Sequence, residues 1–291
     1  MNLTGNSGIL LNHINMILIL YSDKGCEHQA ICCIKSLTNK LGDNDQIVYY
    51  TVGFKSDFNF KKLYKIQIPV NPTYPRFHYY KAELSLYTMD LFPNQEYAFT
   101  DTDVLFSSNF EFNKVSHSNN YPLASYGPFE YPFMWWDGPG GKIIYDEKAL
   151  MNYCNVQQRS QRYLWSCFYS FNESCRDFFE EYTSFCNNKY LLDRQALYYP
   201  YADETSFNIC LWKRGATNNL GFAFVNTHRL ETVKKVEEYK VTNQHGGNNY
   251  DAFGSDWEYI HDSKDILLYH GFKEKDQMEE ATNYILNLQS K

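Results

Sequence analysis

The sequence predicts an α/β fold in which helices flank a mostly parallel sheet, with a smaller aromatic-rich lobe beside it. Short apolar runs alternate with segments of helical spacing up to about residue 110, and aromatic residues crowd the part that follows. Such alternation is typical of an open parallel sheet covered by helices. No internal repeat or linker divides the 291 residues. We therefore expect one domain, 1–291, with one half at about 14–110 and another at about 111–275.

Four strands and two helices are predicted in the first half. The segment 16–21, MILILY, is short and entirely apolar, as expected of a buried strand in a parallel sheet. Apolar residues recur at helical spacing over 30–41, where Gly42 ends the helix, and over 77–91, where Pro93 ends it. The other predicted strands are 46–54, 64–70 and 96–106.

The second half is expected to be less regular. Aromatic, proline and glycine residues are crowded over 121–141, which indicates loops and short strands around a cleft. The segment 229–254 is polar and rich in glycine and asparagine, so we expect a long loop there. The further predicted elements are strands at 163–172 and 266–275 and helices at 174–186 and 202–216.

Two aspartates, Asp101 and Asp103, interrupt the most apolar part of the predicted strand 96–106. Side chains at i and i+2 leave a strand on the same side, and two carboxylates there repel each other unless a cation compensates. One explanation is a strand end where one aspartate caps a turn and the other is solvated. However, parallel sheets bind ligands beyond the carboxyl ends of their strands, where this pair is expected to lie. The pair therefore favours a cation site.

Composition restricts the classes of function. A net charge of −7 argues against a protein that binds a nucleic-acid backbone, which needs a basic face. An anionic substrate would have to be met by a local cation or a metal ion. Aromatic residues make up 18% of the chain, and clusters of tyrosine and tryptophan also line sugar and nucleotide pockets.

The cysteines and the apolar segments indicate a soluble cytoplasmic enzyme. None of the eight cysteines forms a CxxC pair, and several fall at apolar helix positions, so we interpret them as buried thiols rather than disulfides. The segment 8–21 is interrupted by asparagine and histidine and is too short to span a membrane. A signal peptide would require a basic region before this segment, and the segment has none. A secretory-pathway enzyme trimmed of its anchor is the alternative.

Three segments together resemble glycosyltransferases of the GT-A fold. The stretch 77–106 resembles the part of these enzymes where a helix with a basic residue leads into the metal-binding DxD motif. ADETSFN, 202–208, is similar to the acidic helix start of the retaining families 6 and 8. LLYHGFKEK, 267–275, resembles the His-x-x-Gly-x-x-Lys tail of family 8, although here glycine directly follows His270. The resemblance implies a Rossmann-like sheet with a nucleotide-binding half at 14–110 and an acceptor and catalytic half at 111–275.

The resemblance implies a divalent metal site. Asp103 would bind the metal most directly, while Asp101 would assist and hold the ribose of the donor. His270 is the expected third ligand, and mixed oxygen and nitrogen ligation favours Mn²⁺ over Mg²⁺. His245 competes more weakly for the same role, and a structural surface histidine is the alternative for His270.

The resemblance also implies residues that bind the nucleotide-sugar. Lys81 occupies the position of a donor-contacting cation, although a solvated helix lysine would look the same. Lys273 could pair with the diphosphate as a point charge. Tyr21 and Ser22 match the place where this fold holds the base, unless Tyr21 simply packs.

Two acidic residues are the catalytic candidates. The resemblance implies that Glu204 faces the anomeric carbon, where a carboxylate stabilises an oxocarbenium-like transition state or attacks as a nucleophile. Glu204 shares a helix face with Asn208, while Asp203 also suits a plain N-cap. Transfer with retention is expected. If Asp203 or Glu204 instead activates the acceptor hydroxyl, the enzyme inverts.

The expected activity is hexosyl transfer from a nucleotide-diphosphate sugar, most simply a UDP-sugar, to a glycan or other hydroxyl acceptor. Trp135, Trp136 and Asp137 would suit a sugar subsite, or the tryptophans lie in the core. Two other classes stay open, namely a HAD-type phosphatase, which also carries Asp-x-Asp, and a non-catalytic carbohydrate-binding protein. Peripheral attachment to a membrane and the oligomeric state are likewise open.

Overall fold

A six-stranded, mostly parallel sheet flanked by helices forms the centre of the protein. The computed structural model describes residues 16–72, 79–112, 115, 120–126, 136–138, 141–143, 151–188, 202–220, 223–227, 229–242, 266–272 and 274–289. The strands are β1 (Ile17–Ser22), β2 (Gln46–Val52), β3 (Leu63–Ile68), β4 (Glu96–Thr100), β5 (Val104–Phe106), β6 (Leu123–Tyr126), β7 (Trp136–Gly138), β8 (Gly141–Ile143), β9 (Leu164–Asn172), β10 (Ala223–Asn226) and β11 (Ile266–His270). The α-helices are α1 (Glu27–Ser36), α2 (Tyr80–Leu91), α3 (Arg176–Cys186), α4 (Ala202–Lys213), α5 (Leu230–Thr242) and α6 (Lys275–Gln289). The predicted fold class is confirmed.

The strand order of the main sheet is β3-β2-β1-β4-β9-β6. The first four strands are mutually parallel, β9 is antiparallel to β4, and β6 is antiparallel to β9. A second sheet has the order β10-β11-β5, in which β11 is parallel to β10 and antiparallel to β5. β7 and β8 form a hairpin. Strand β5 of the second sheet follows β4 after only three residues, and β9 is antiparallel to β4. The carboxyl end of β4 and the beginning of β9 therefore lie where the two sheets approach each other.

Aromatic packing holds the antiparallel strand β9 to the parallel part of the sheet. Tyr97 lies opposite Phe171, and Phe99 lies opposite Tyr169, in the β4–β9 register. Both pairs are stacked, with ring centroids 5.1 Å and 4.9 Å apart. Such pairs contribute about 0.5–1.5 kcal/mol each beyond their buried area. This packing fixes β9 beside β4, so that residues of both strands contribute to one end of the sheet.

Two predicted elements are too long: the first helix ends at Ser36 rather than at Gly42, and the strand predicted over 266–275 ends at His270. Two further expectations about secondary structure are wrong. The segment 96–106 is two strands in different sheets, because the chain turns at Asp101 and enters the second sheet at Val104. The segment 229–254 begins with a helix, α5, whose Val233 and Val236 are fully buried at helical spacing. The asparagines and glycines from residue 243 onward dominated its composition and concealed the amphipathic first part. Residues 243–254 lie outside the described residues.

The cysteines are free thiols, as expected. Seven of the eight are buried, and Cys26 is partly exposed. Among the described helices, none combines the length and apolar character needed to cross a membrane.

Candidate metal and active site

The two aspartates lie in the turn that joins the two sheets. The backbone N–H of Asp101 donates to the carbonyl of Cys167 on β9 at 2.8 Å, which ties the start of the turn to the main sheet. The carbonyl of Asp103 accepts the N–H of Gly271, just after β11, at 3.2 Å, which ties its end to the second sheet. The two residues are thus not successive same-side positions of one strand, as the sequence suggested, but the two ends of a turn.

Asp101, Asp103 and His270 nevertheless converge as predicted. Each offers one possible ligand atom, and these atoms lie within 4.8 Å of one another. Nε2 of His270 is 3.5 Å from Oδ1 of Asp103, because β11 runs antiparallel to β5 and pairs His270 with Val104. Two carboxylates and one imidazole suit Mn²⁺, and Mg²⁺ less well because it prefers oxygen ligands.

A buried lysine lies behind Asp101. Nζ of Lys81 is 3.0 Å from Oδ2 of Asp101, 3.0 Å from Oδ2 of Asp203 and 3.2 Å from Oγ of Ser166. The ammonium therefore faces three acceptors, one from the turn, one from α4 and one from β9. Burial opposes the charge of the ammonium, but Asp101, Asp203 and Glu204 together raise the pKa of Lys81 well above its usual value. Lys81 thus remains a cation at the centre of the site.

Carboxyl groups outnumber ammonium groups around Lys81. Burial raises the pKa of Asp101, with Asp103 and Asp203 adding to the rise and Lys81 opposing it. Burial also raises the pKa of Glu204 against the opposing effect of Lys81. Three carboxyl groups surround one ammonium, so a divalent cation beside Asp101 would relieve their repulsion. The residues present therefore fit a bound metal ion electrostatically as well as by ligand type.

The two acidic residues of α4 face the same network. Both carboxylate oxygens of Glu204 accept the backbone N–H of Ser166, at 3.1 and 3.0 Å. Asp203 is buried, and its carboxylate forms an ion pair with Lys81. It is the second residue of the helix rather than the residue before it, so the interpretation as a plain N-cap is wrong. One turn later, the side chain of Asn208 bonds the N–H and the carbonyl of Leu164, both at 2.8 Å. Asn208 thereby anchors α4 to β9.

A cavity of about 250 Å³ opens beside the turn. The residues lining it are Tyr21, Cys26, Gln29, Lys81, Asp101, Thr102 and Asp103. Tyr21 is the penultimate residue of β1 and also packs against Tyr80 and Phe99, with ring centroids 5.9 and 5.8 Å away. The hydroxyl of Ser22, in contrast, is fully buried and hydrogen-bonded to the hydroxyl of Tyr49 at 2.6 Å. Of the two residues predicted to hold the base, only Tyr21 borders the cavity.

Four residues of the site were not predicted from the sequence. Ser166 and Trp165 lie within an apolar, aromatic strand, and only the pairing of β9 with β4 brings them to the site. Trp165 packs edge to face against His270, with centroids 4.9 Å apart. Cys26 and Gln29 lie at the start of α1, and they could have been found because that helix follows β1 at the carboxyl edge of the sheet.

Lys273, His245 and Trp135 lie outside the described residues. Trp136 and Asp137 lie in β7, for which only the backbone is described.

Comparison with known proteins supports the fold. No protein-family profile matches the chain, and no curated protein matches it either. Among solved structures, the apo structure of the bifunctional glycosyltransferase WbbM resembles it with a TM-score of 0.56 at 14% sequence identity. The match covers 100% of this chain and 53% of the WbbM chain, so this chain spans about half of that protein's length. At this identity the likeness shows a shared fold, in which helices flank a Rossmann-like sheet.

Proposed function

We propose that this protein is a metal-dependent glycosyltransferase that moves a sugar from a nucleotide-diphosphate sugar to a hydroxyl of a glycan or other acceptor. The observation that carries the proposal is the convergence of Asp101, Asp103 and His270 beside a cavity at the carboxyl end of β4. The fold shared with WbbM, which is named as a bifunctional glycosyltransferase, supports the same reaction class.

In this proposal, Asp101, Asp103 and His270 hold the metal ion, for which we favour Mn²⁺. A divalent ion bound there supplies Lewis-acid stabilisation for the negative charge that develops on a departing diphosphate. Lys81 keeps Asp101 oriented through the 3.0 Å ion pair and adds positive charge to the wall of the cavity. Tyr21 lines the same cavity from the end of β1 and is the proposed contact for the base or ribose of a UDP-sugar. Lys273 is the proposed partner of the diphosphate.

We further propose hexosyl transfer with retention, with Glu204 as the carboxylate that faces the anomeric carbon and Asp203 as its neighbour. Ser166 supports this role, because its N–H holds the Glu204 carboxylate while its hydroxyl contacts Lys81. The proposed catalytic carboxylate and the proposed metal ligand Asp101 thus belong to one hydrogen-bonded network. The resemblance of this chain to the retaining families 6 and 8 points the same way.

A thermal-shift panel tests the reaction class. UDP, GDP and UDP-sugars are added with and without Mn²⁺, and we expect the largest rise in melting temperature from a UDP-sugar with Mn²⁺, because ligands that bind only the folded state stabilise it by mass action. If no nucleotide diphosphate raises the melting temperature in the presence of metal, the proposal is wrong. A rise with glycans alone would indicate a carbohydrate-binding protein instead.

The stereochemistry has a separate test. Once a donor and an acceptor are identified, NMR of the product anomer distinguishes retention from inversion. An inverted product would leave the glycosyltransferase proposal intact but would give Glu204 or Asp203 the role of a general base.

A further inference from the structure

Helix α5 carries a buried carboxylate, Glu237, that does not belong to the candidate site. The side chain is 1% exposed. One oxygen accepts the hydroxyl hydrogen of Tyr269 at 2.5 Å and the backbone N–H of Ser108 at 3.3 Å, and the other accepts the hydroxyl hydrogen of Ser108. A buried carboxylate is energetically costly unless hydrogen-bond donors compensate for its lost hydration, and these donors provide that compensation for Glu237.

The donors lie in or just beyond two strands, β5 and β11, which adjoin Asp103 and contain His270. Tyr269 directly precedes His270 in β11, and successive side chains leave a strand on opposite faces. Tyr269 therefore points to α5 while His270 points to the candidate site. Ser108 lies two residues beyond the end of β5, a strand that begins directly after Asp103. Glu237 thus joins both strands on the face opposite the metal ligands.

The pairing between these strands is short. Only three residue pairs connect β5 and β11, and His270 lies opposite Val104. A slip of one residue would turn every side chain of β11 to the other face and remove His270 from Asp103. At the end near the site, the ladder closes with the bond from Gly271 to Asp103, for which Gly271 adopts a φ of +104°. At the other end, the Glu237 side chain bonds both Tyr269 of β11 and Ser108, just beyond β5.

We propose that Glu237 is a positioning residue for the metal site, holding β5 and β11 in the register in which Asp103 and His270 share one divalent ion. This inference rests on the proposed function, because it presupposes a metal ion at Asp101, Asp103 and His270. It adds a residue that touches neither metal nor substrate and acts through Tyr269 and Ser108.

The test measures Mn²⁺ binding to the apo protein by the EPR signal of free Mn²⁺, at a temperature well below unfolding. The variant is Glu237→Gln, which has the same shape but cannot accept with both oxygens, and we expect its dissociation constant for Mn²⁺ to rise roughly ten-fold or more. Loss of a direct hydrogen-bond partner of a metal ligand weakens metal affinity by about 10- to 100-fold, and Glu237 acts one contact further away, so we expect the lower end of that range. The matched control is Asp45→Asn.

Asp45 is a suitable control because it is also a buried carboxylate that accepts a backbone N–H. It is 7% exposed and bonds the N–H of Gly42 at 2.7 Å. It directly precedes β2, at the end of the parallel sheet opposite the candidate site. We expect Asp45→Asn to lower stability without changing the dissociation constant for Mn²⁺.

Each outcome decides a separate question. Unchanged Mn²⁺ affinity in Glu237→Gln, or an equal loss in Asp45→Asn, would overturn the positioning role while the proposed function stands. Failure of the unmutated protein to bind Mn²⁺ would overturn both.

As a second variant, Tyr269→Phe should weaken Mn²⁺ binding too. The double variant should bind Mn²⁺ no more weakly than the weaker-binding single variant, because the two side chains act as one contact. Additive losses would contradict this.

Discussion

Asp101 and Asp103 are two residues apart and similarly exposed, at 23% and 30% of their side chains, yet they belong to different parts of the molecule. Asp101 is bound to the main sheet through Cys167 and forms an ion pair with the buried Lys81. Asp103 is bound to the second sheet through Gly271 and faces His270. The difference between the two residues is therefore one of partners, not of accessibility.

The comparison shows that the candidate metal site is assembled from an inner and an outer part. In the inner part, charge compensation by Lys81 holds the carboxylates of Asp101 and Asp203 in place. In the outer part, strand pairing and packing bring Asp103 and His270 together. Changes in the inner part should consequently affect the stability of the metal-free protein, whereas changes in the outer part should affect metal affinity.

The largest effect is expected for Lys81→Met. Removing the ammonium leaves Asp101 and Asp203 facing each other without compensation, and breaking a buried ion pair typically costs about 3–5 kcal/mol. Urea denaturation of the metal-free protein measures this loss. The control is Lys24→Met, which removes an exposed pair with Glu27 and should cost less than about 1 kcal/mol. Equal, small losses in both variants would show that Lys81 does not support the inner part.

Asp103→Asn should separate metal binding from stability. The variant loses a charged metal ligand, so the rise in melting temperature caused by Mn²⁺ should disappear. Its metal-free melting temperature should change little, because a substitution at a partly exposed position usually alters stability by about 0.5 kcal/mol or less. Asp101→Asn is the matched comparison. It should lower the Mn²⁺-dependent rise in melting temperature, because a metal ligand is lost, and also the metal-free melting temperature, because Lys81 loses a charged partner. Equal metal-free stability of the two variants would contradict the distinction between inner and outer parts.

Glu204→Gln tests whether the crowded carboxyl groups around Lys81 keep a proton in the metal-free protein. Burial raises the pKa of Glu204 against the opposing effect of Lys81, so above the usual glutamate pKa of about 4.3 the folded protein retains a proton that the unfolded chain has released. The metal-free protein should therefore lose stability as the pH rises from the usual glutamate pKa to about 8, the raised pKa of Glu204, with a contribution from this one group of at most about 1.4 kcal/mol per pH unit. In the variant this contribution is absent, and urea denaturation across the pH range should give a flatter profile. A profile parallel to that of the unmutated protein would show that Glu204 is ionised throughout.

The sequence was informative where the determining interactions are local. The apolar run of β1 and the spacing of Asp101 and Asp103 are visible within a few residues, and they led to the sheet and to its carboxyl edge. His270 followed from a resemblance in the tail, and the structure brings it to the aspartates. These features needed no knowledge of how distant segments pair.

The parts that the sequence did not reveal depend on long-range pairing. Ser166 looks like any small polar residue in an aromatic strand, and it contacts Lys81 and Glu204 only because β9 pairs with β4. Lys81 on its helix suggested a contact with a ligand, whereas the structure adds two carboxylates from distant segments, at Asp101 and Asp203. The turn at Asp101 was hidden for the same reason, because the apolar residues on both sides fit one strand as well as two.

The smallest effect is expected for Trp165→Leu, which probes how the outer part holds His270. The indole packs edge to face on the imidazole, with ring centroids 4.9 Å apart and planes at 76°. Losing such a contact costs about 0.5–1.5 kcal/mol. If packing orients His270, this cost should appear as a roughly two- to ten-fold weaker affinity for Mn²⁺.

The matched control for that change is Trp212→Leu. Trp212 is buried and packs edge to face against Tyr163, with centroids 6.2 Å apart, so the same substitution removes a comparable aromatic contact away from the metal ligands. Trp212→Leu should lower the melting temperature more than Trp165→Leu and leave Mn²⁺ affinity unchanged, because its indole is the more deeply buried of the two. If both variants bind Mn²⁺ as tightly as the unmutated protein, the β5–β11 pairing alone orients His270, and the outer part depends on backbone register rather than on side-chain packing.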